Sequence, residues 1–397
     1  MPALELLRRR KDVLLIALIF LASRAVILAG YMAGKHGSLY EAIGAAGGSY
    51  DASWFERVVR WGYWGSSVHY PVASFYPGYP LVVDVVFWPV IGIIKLFRPD
   101  LSVDTIYPHD VLSGSMVLVA NLALIVALVL LWKLYQPRLG TTATTVGLAL
   151  LLIFPVSFFL SSGFSESLFI ACIAAAFLFV ERGQWVKVGI AAGLACLVRF
   201  PGVFVALPLV VAWLQARPRP PVRQSVLGAC LLLAGAVAYP LFLWIAFGDP
   251  LFYFHLQIHG PWQHQVLNPL ASIGDIFGQA HEAERAIRGI PTIVRPVDAP
   301  AALMQAIAVS IGLVAIIGGL KSRLRSWEVL WVGLVLLFPL VVGFASLSRY
   351  LLAAFPIFFL FGTWFQKWPA VVIPVIVASG VFLFILTETM ARGFFVA

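Results

Sequence analysis

Apolar runs long enough to cross a bilayer recur from one end of this chain to the other, with no polar domain between them. A hydrocarbon core about 30 Å thick takes roughly 20 residues of helix, and a backbone inside it must satisfy its own hydrogen bonds. The runs fall near 13–34, 77–97, 111–134, 143–161, 165–181, 187–215, 225–247, 301–320, 327–347, 350–366 and 369–390. The 187–215 stretch is broken by "RFPG" and reads as two short helices meeting at a polar turn. The expectation is an all-α polytopic membrane protein, one integral membrane domain over residues 1–397, with about eleven or twelve transmembrane or re-entrant helices. At 61% hydrophobic and 11% charged residues the composition excludes an ordinary soluble domain.

The net charge of +9 does not indicate nucleic acid, because the basic residues are scattered through short loops between apolar runs. They read as topology signals. Arg8 to Lys11, Lys133 with Arg138, Arg182 with Lys187, Arg217 to Arg223, Lys321 to Arg325, and Lys367 all mark the cytoplasmic side. The N-terminal apolar run exceeds a signal peptide's h-region of about 7 to 15 residues, which favours a retained anchor with a cytoplasmic start. Between residues 35 and 135 the parity fails: either one apolar segment re-enters or splits, or one charge cue breaks the rule. Two long polar stretches, 35–76 and 248–300, fall outside. Cys172, Cys196 and Cys230 lie in apolar runs without close spacing, so neither a disulfide nor a metal site is implied.

Against this background the ionisable residues stand out. In "YDASWFERVVRWGYW", Trp54, Val58 and Trp61 share one helical stripe, with Glu56, Arg57 and Arg60 on the other faces. This predicts an amphipathic helix in the outer loop after the first span, headed by Asp51 as helix cap or as catalytic acid or base. Tyr70, Tyr76 and Tyr79 flank prolines at the next entry to the membrane, where an aromatic belt explains them. Glu166 in "SSGFSES", Arg24, Asp84 and Arg199 are charges at membrane depth and so candidate functional groups. Arg24 and Asp84 also suit a mutually neutralising pair, whereas Arg199 beside a helix break suits an anion ligand. Arg349 in "SLSRYLL" is either a second such ligand or an arginine snorkelling toward headgroups. His255, His259 and His264 lack an accompanying metal-protease pattern and suit contacts to a sugar or headgroup better than a metal. An acid, a cationic clamp and stacking aromatics on one side of the membrane suit transfer of a sugar from a lipid phosphate.

The ordered set "SYDASWFERVVRWGYW", "SFYPGYPLV", "FPVSFFLSSGFSESLF", "LACLVRFPG", "GDPLFYFHLQ" and "SLSRYLLAAFPIF", spanning about residues 13 to 366, resembles the GPI second-mannosyltransferase (PIG-V-like) family and its prokaryotic homologues. These are integral membrane GT-C glycosyltransferases. The resemblance implies inverting transfer of a sugar, usually mannose, from a polyprenyl-phosphate donor to a lipid-linked or glycan acceptor on the extracytoplasmic face. It makes Asp51 the candidate general base. Arg199, Arg349, Tyr350, His69 and Tyr70 become candidates for the donor and its phosphate, and Trp54, Glu166, Gln257 and His255 for substrate. No cofactor is implied beyond the donor substrate, and a divalent metal is not expected. The family's Trp-Asp pair is here Tyr50 and Asp51, and its Arg-Ser-Asn-Gly is Arg199 to Gly202. The rival reading is a transporter or flippase of a lipid-linked sugar, against which the chain shows no pair of similar halves with matching helix breaks.

Overall fold

The computed structural model describes residues 2–63, 72–99, 109–260, 263–295, 298–320, 322–343 and 346–396. Among these the chain is helical throughout, with no strand. Helix α1 (Pro2–Gly34) leads into α2 (Leu39–Gly48) and the amphipathic α3 (Asp51–Trp61). Then come α4 (Gly78–Phe97), α5 (His109–Leu139), α6 (Thr141–Ile153), α7 (Glu166–Glu181) and α8 (Trp185–Val198). A 3-10 segment over Phe200–Val205 runs on into α9 (Ala206–Gln215). The remainder is α10 (Val222–Phe247), α11 (Phe252–His259), α12 (Pro269–Ile287), α13 (Ala299–Gly319), α14 (Ser326–Val342), α15 (Leu347–Ala353), α16 (Pro356–Phe365) and α17 (Pro369–Ala391).

Eleven apolar segments are present where expected, yet their lengths differ. Among the described residues six helices are long and apolar enough to cross a membrane: the Val13–Gly34 part of α1, α4, Val111–Leu139 of α5, α10, α13 and α17. The pair α15 and α16, bent by 78°, makes a seventh if taken as one broken span. Helix α6 has 13 residues and α7 has 16. At 1.5 Å per residue these reach roughly 20 and 24 Å, short of a full bilayer core. Short helices end inside the bundle, and that is where this fold places its polar ends.

Helices in lipid gain little from burying apolar surface against one another, so close backbone approach matters. Gly189 and Gly193 of α8 lie directly on Gly228 and Gly235 of α10; a Cβ at Gly189 would stand 2.1 Å from the Gly228 carbonyl oxygen. At residues 199–202 the chain turns back as expected. Arg199 is extended (φ −154°, ψ 146°), and Gly202 returns so close to Ala195 that a Cβ would meet its carbonyl carbon at 2.6 Å.

Three sequence expectations fail here. The buried stripe of α3 is Ala52, Phe55, Glu56 and Val58, while Trp61 is exposed and Trp54 half-buried, because α3 packs on α2 and α4 and does not lie free at an interface. Tyr76 and Tyr79 are core residues with no part in a surface belt, and the Tyr79 hydroxyl donates to the Met116 carbonyl at 2.9 Å. Arg24 and Asp84 do not pair: Arg24 donates to Ser161 Oγ, and Asp84 accepts from Trp88 Nε1 at 3.1 Å. Tyr79 beside Met116, and Gly47 against Ser113, also show that α4 and α5 begin at the same end of the bundle. Residues 100–108, between them, lie outside the described ones.

Candidate active site

Four charged side chains from four distant parts of the sequence meet at the ends of four helices. Asp51 and Glu166 are the first residues of α3 and α7, where a helix's positive end favours a carboxylate. Arg199 closes the C-terminus of α8, where the negative end favours a cation, and Arg349 lies in the short α15. Local helix chemistry thus stabilises three of the four charges before they meet.

They form one chain of charge-assisted hydrogen bonds. Arg349 Nη1 donates to Asp51 Oδ2 at 2.5 Å, Arg349 Nε donates to Glu166 Oε1, and Arg199 Nη1 donates to that same oxygen. Glu166 and Arg349 are buried, while the Asp51 and Arg199 side chains retain 31% and 16% of their exposure, so the two outer members face water. The guanidinium of Arg349 also sits 4.7 Å from the Phe159 ring and 5.0 Å from that of Phe164, a cation over aromatic faces. Arg349 therefore has its position set from all sides. Asp51 does not cap α3; the N-cap is Tyr50, which lacks a side-chain cap and holds a left-handed φ of 53°. A non-glycine residue there is strained by about 1–3 kcal/mol, a cost that persists where surrounding contacts over-determine the backbone.

Asp51, Arg199 and Arg349 line a cavity of about 90 Å³ with Tyr350, Tyr253 and Phe200. Phe200 stacks on Tyr253 (centroids 5.5 Å apart, planes at 26°), and the Arg199 guanidinium lies 5.6 Å from the Tyr350 ring. Burial pushes the Tyr253 and Tyr76 hydroxyls well up from the ordinary phenol range, with nearby phenols adding to it for Tyr253, so both remain hydrogen-bond donors at neutral pH. Glu166 Oε2 has no hydrogen-bond partner among the described residues, and Glu166 also borders a void of about 10 Å³, the room of one water.

Of the residues singled out in the sequence, Asp51, Glu166, Arg199, Arg349 and Tyr350 are brought together. Trp54 is not at the cavity; it stacks on Phe75 at 6.0 Å and carries Arg57 over its ring at 4.2 Å. His255 turns to Asp249 (Nδ1 to Oδ2 2.6 Å) on the rim of its own loop, and Gln257 does not line the cavity. His69 and Tyr70 lie outside the described residues. Tyr253, Phe200 and Tyr76 were not singled out as site residues. The signal for Tyr253 was weak: an aromatic one turn before buried Leu256 in a short helix facing the "RFPG" turn. Among the described residues, no three or more metal-ligating side chains come together.

Residues 110–244, about a third of the chain, match the dolichyl-phosphate-mannose-protein mannosyltransferase family. The matched stretch holds Glu166 and Arg199 but neither Asp51 nor Arg349. No curated protein matches the chain. The family match supports a multi-pass membrane glycosyltransferase of the GT-C superfamily acting on a lipid-linked sugar.

Proposed function

We propose that the protein is an inverting glycosyltransferase that moves a sugar, mannose by family likeness, from a polyprenyl phosphate to a lipid-linked or glycan acceptor on the extracytoplasmic face, with Asp51 as general base. The observation that carries this reading is the bonded chain Asp51–Arg349–Glu166–Arg199 along one cavity. The order of the PIG-V-like motifs supports the same choice of residues, and the basic loops at the far end of the bundle support the outward placement.

The acceptor hydroxyl oxygen forms the new bond to the anomeric carbon as the bond from that carbon to the phosphate oxygen breaks. Its proton passes to Asp51, and the polyprenyl phosphate leaves from the opposite face of the sugar with both electrons of the broken bond. Arg199 and Arg349 neutralise the charge that grows on the phosphate, and Glu166 holds both guanidiniums in place. No cofactor or divalent metal enters this scheme. At about 90 Å³ the resting cavity is well below the roughly 300–1,000 Å³ of ordinary ligand sites, so a sugar phosphate must widen it. The contact that gives way is Arg349–Asp51, because Asp51 is its water-facing partner; a phosphate taking its place on Arg349 frees the carboxylate to act as base.

The test is release and transfer of sugar from synthetic polyprenyl-phosphate mannose by the purified protein in detergent, with membrane lipid extract as acceptor source, comparing wild type with Asp51→Asn. Turnover in wild type that is lost in the variant supports the enzyme and its base. Equal turnover in both removes Asp51 from that role. No turnover in either, across several polyprenyl-phosphate sugars, moves the reading to a lipid-linked-sugar transporter.

A further inference from the structure

A far larger hollow than this cavity lies away from the cluster. Helix α1 packs chiefly on α17, with α6 and α2, and leaves a groove of about 1210 Å³ between its first apolar turns and α5. Val13 and Phe20 of α1 and Leu128 and Trp132 of α5 line it, and Lys133 and Arg182 stand at its mouth. Arg182 follows the last residue of α7, whose first residue is Glu166, so the mouth lies roughly 24 Å along that helix from the candidate active site. It opens at the opposite end of the bundle.

We propose that this groove binds a diacyl glycerophospholipid with an anionic headgroup, its acyl chain along α1 and α5 and its phosphate between Lys133 and Arg182. The dimensions fit. The lined part of α5 runs from Ile125 to Pro137, roughly 18 Å of helix, close to one leaflet's half of a hydrocarbon core about 30 Å thick. The volume exceeds the roughly 300–1,000 Å³ of sites for drug-sized molecules. The charges fit as well. Lys133 and Arg182 are exposed and have no acidic partner among the described residues, while Glu181, the acid beside them, is taken by Arg138 at 3.4 Å and Arg325 at 3.0 Å. Gln136 and Thr141 add neutral polar groups at the same mouth. A topology signal alone accounts for two basic residues at a helix end but not for an apolar groove of about 1210 Å³ beneath them. Basic pockets between helices on the cytoplasmic side are a general means of holding anionic lipid, and the basic-loop pattern assigns this end to the cytoplasm. The inference does not depend on the sugar-transfer reading.

The experiment is native mass spectrometry of the full-length protein, delipidated in a non-ionic detergent and titrated with phosphatidylglycerol and phosphatidylcholine of identical chains. Two basic residues near a headgroup should favour phosphatidylglycerol by on the order of tenfold or more in apparent Kd. Lys133→Gln with Arg182→Gln, both at exposed positions, should abolish that preference, whereas Arg323→Gln, a basic residue off the groove, should leave it intact. Ala17→Phe, which fills the groove, should weaken both lipids. The proposal is overturned if wild type holds the two lipids equally, or if the preference survives the double substitution. It is equally overturned if polyprenyl phosphate displaces phosphatidylglycerol at equal concentration, which would make the groove a substrate site.

Discussion

Two bonded clusters, one at each end of this bundle, carry the same inventory, two arginines and two carboxylates, and use it in opposite ways. At one end Glu328 is fully buried and both its oxygens are engaged: Arg138 Nη2 donates to Oε1 at 2.6 Å and Nη1 to Oε2 at 3.1 Å. Oε2 also accepts the Arg325 backbone N–H at 2.7 Å, and Arg138 and Arg325 extend to Glu181. This is a two-pronged pair that ties α5, α7 and α14 together. At the other end one oxygen of Glu166 serves two arginines, its second oxygen has no partner among the described residues, and the chain of bonds ends in a part-exposed Asp51 beside a cavity. The difference teaches what separates a lock from a site. Charge content in the two clusters is equal; what differs is that Glu328 has both oxygens engaged, whereas Glu166 keeps one oxygen spare and its chain ends in an acid that lines a cavity.

Substitutions that treat the two ends alike should therefore diverge. Asp51→Asn should lower sugar transfer by about 10²–10⁴-fold, the usual range for loss of a general base, with the thermal midpoint in detergent close to wild type. Glu328→Gln should do the reverse. Breaking a buried pair from one side costs about 3–5 kcal/mol, so its midpoint should fall clearly while turnover per folded molecule persists. A loss of turnover in Glu328→Gln equal to that in Asp51→Asn would erase the distinction.

Smaller effects sharpen it. Arg199→Lys keeps a charge but loses the planar fork, and should raise the donor KM roughly tenfold with little change in midpoint. Tyr253→Phe should cost about fivefold in kcat/KM, the equivalent of about 1 kcal/mol for one hydrogen bond. Because burial raises that phenol, the wild-type rate should show no alkaline limb from it near its ordinary value of about 10. The smallest effect concerns His264, whose imidazole is held below its usual 6.5 by burial. The unfolded chain then takes up the proton first, so stability is full above about pH 6.5 and declines as pH falls toward the lowered folded value. His264→Gln should flatten that part of a pH-midpoint series.

How much of this was legible beforehand varies with the residue. Arg199, Glu166 and Arg349 stood out because a charge in an apolar run needs a reason wherever the run lies. What each one touches was not legible. Arg24 was matched with Asp84 on complementarity alone, and the structure gives each a neutral partner, Ser161 and Trp88. The α3 stripe was misplaced for a related reason. Helical periodicity identifies an amphipathic helix, but which face is buried depends on what packs against it, here α2 and α4.

By itself, then, the sequence determined the helical class, the membrane setting, the break at Arg199 and the identity of the charged residues, because hydropathy and backbone satisfaction are properties of short stretches. Only the tertiary structure decided that short α6 and α7 stop within the bundle and that Asp51 reaches Arg349 across 298 residues. It alone decided too that Glu328 has both oxygens engaged while Glu166 does not. Those outcomes depend on which helices approach closely enough for backbones to touch, and such approach is fixed jointly by residues far apart along the chain.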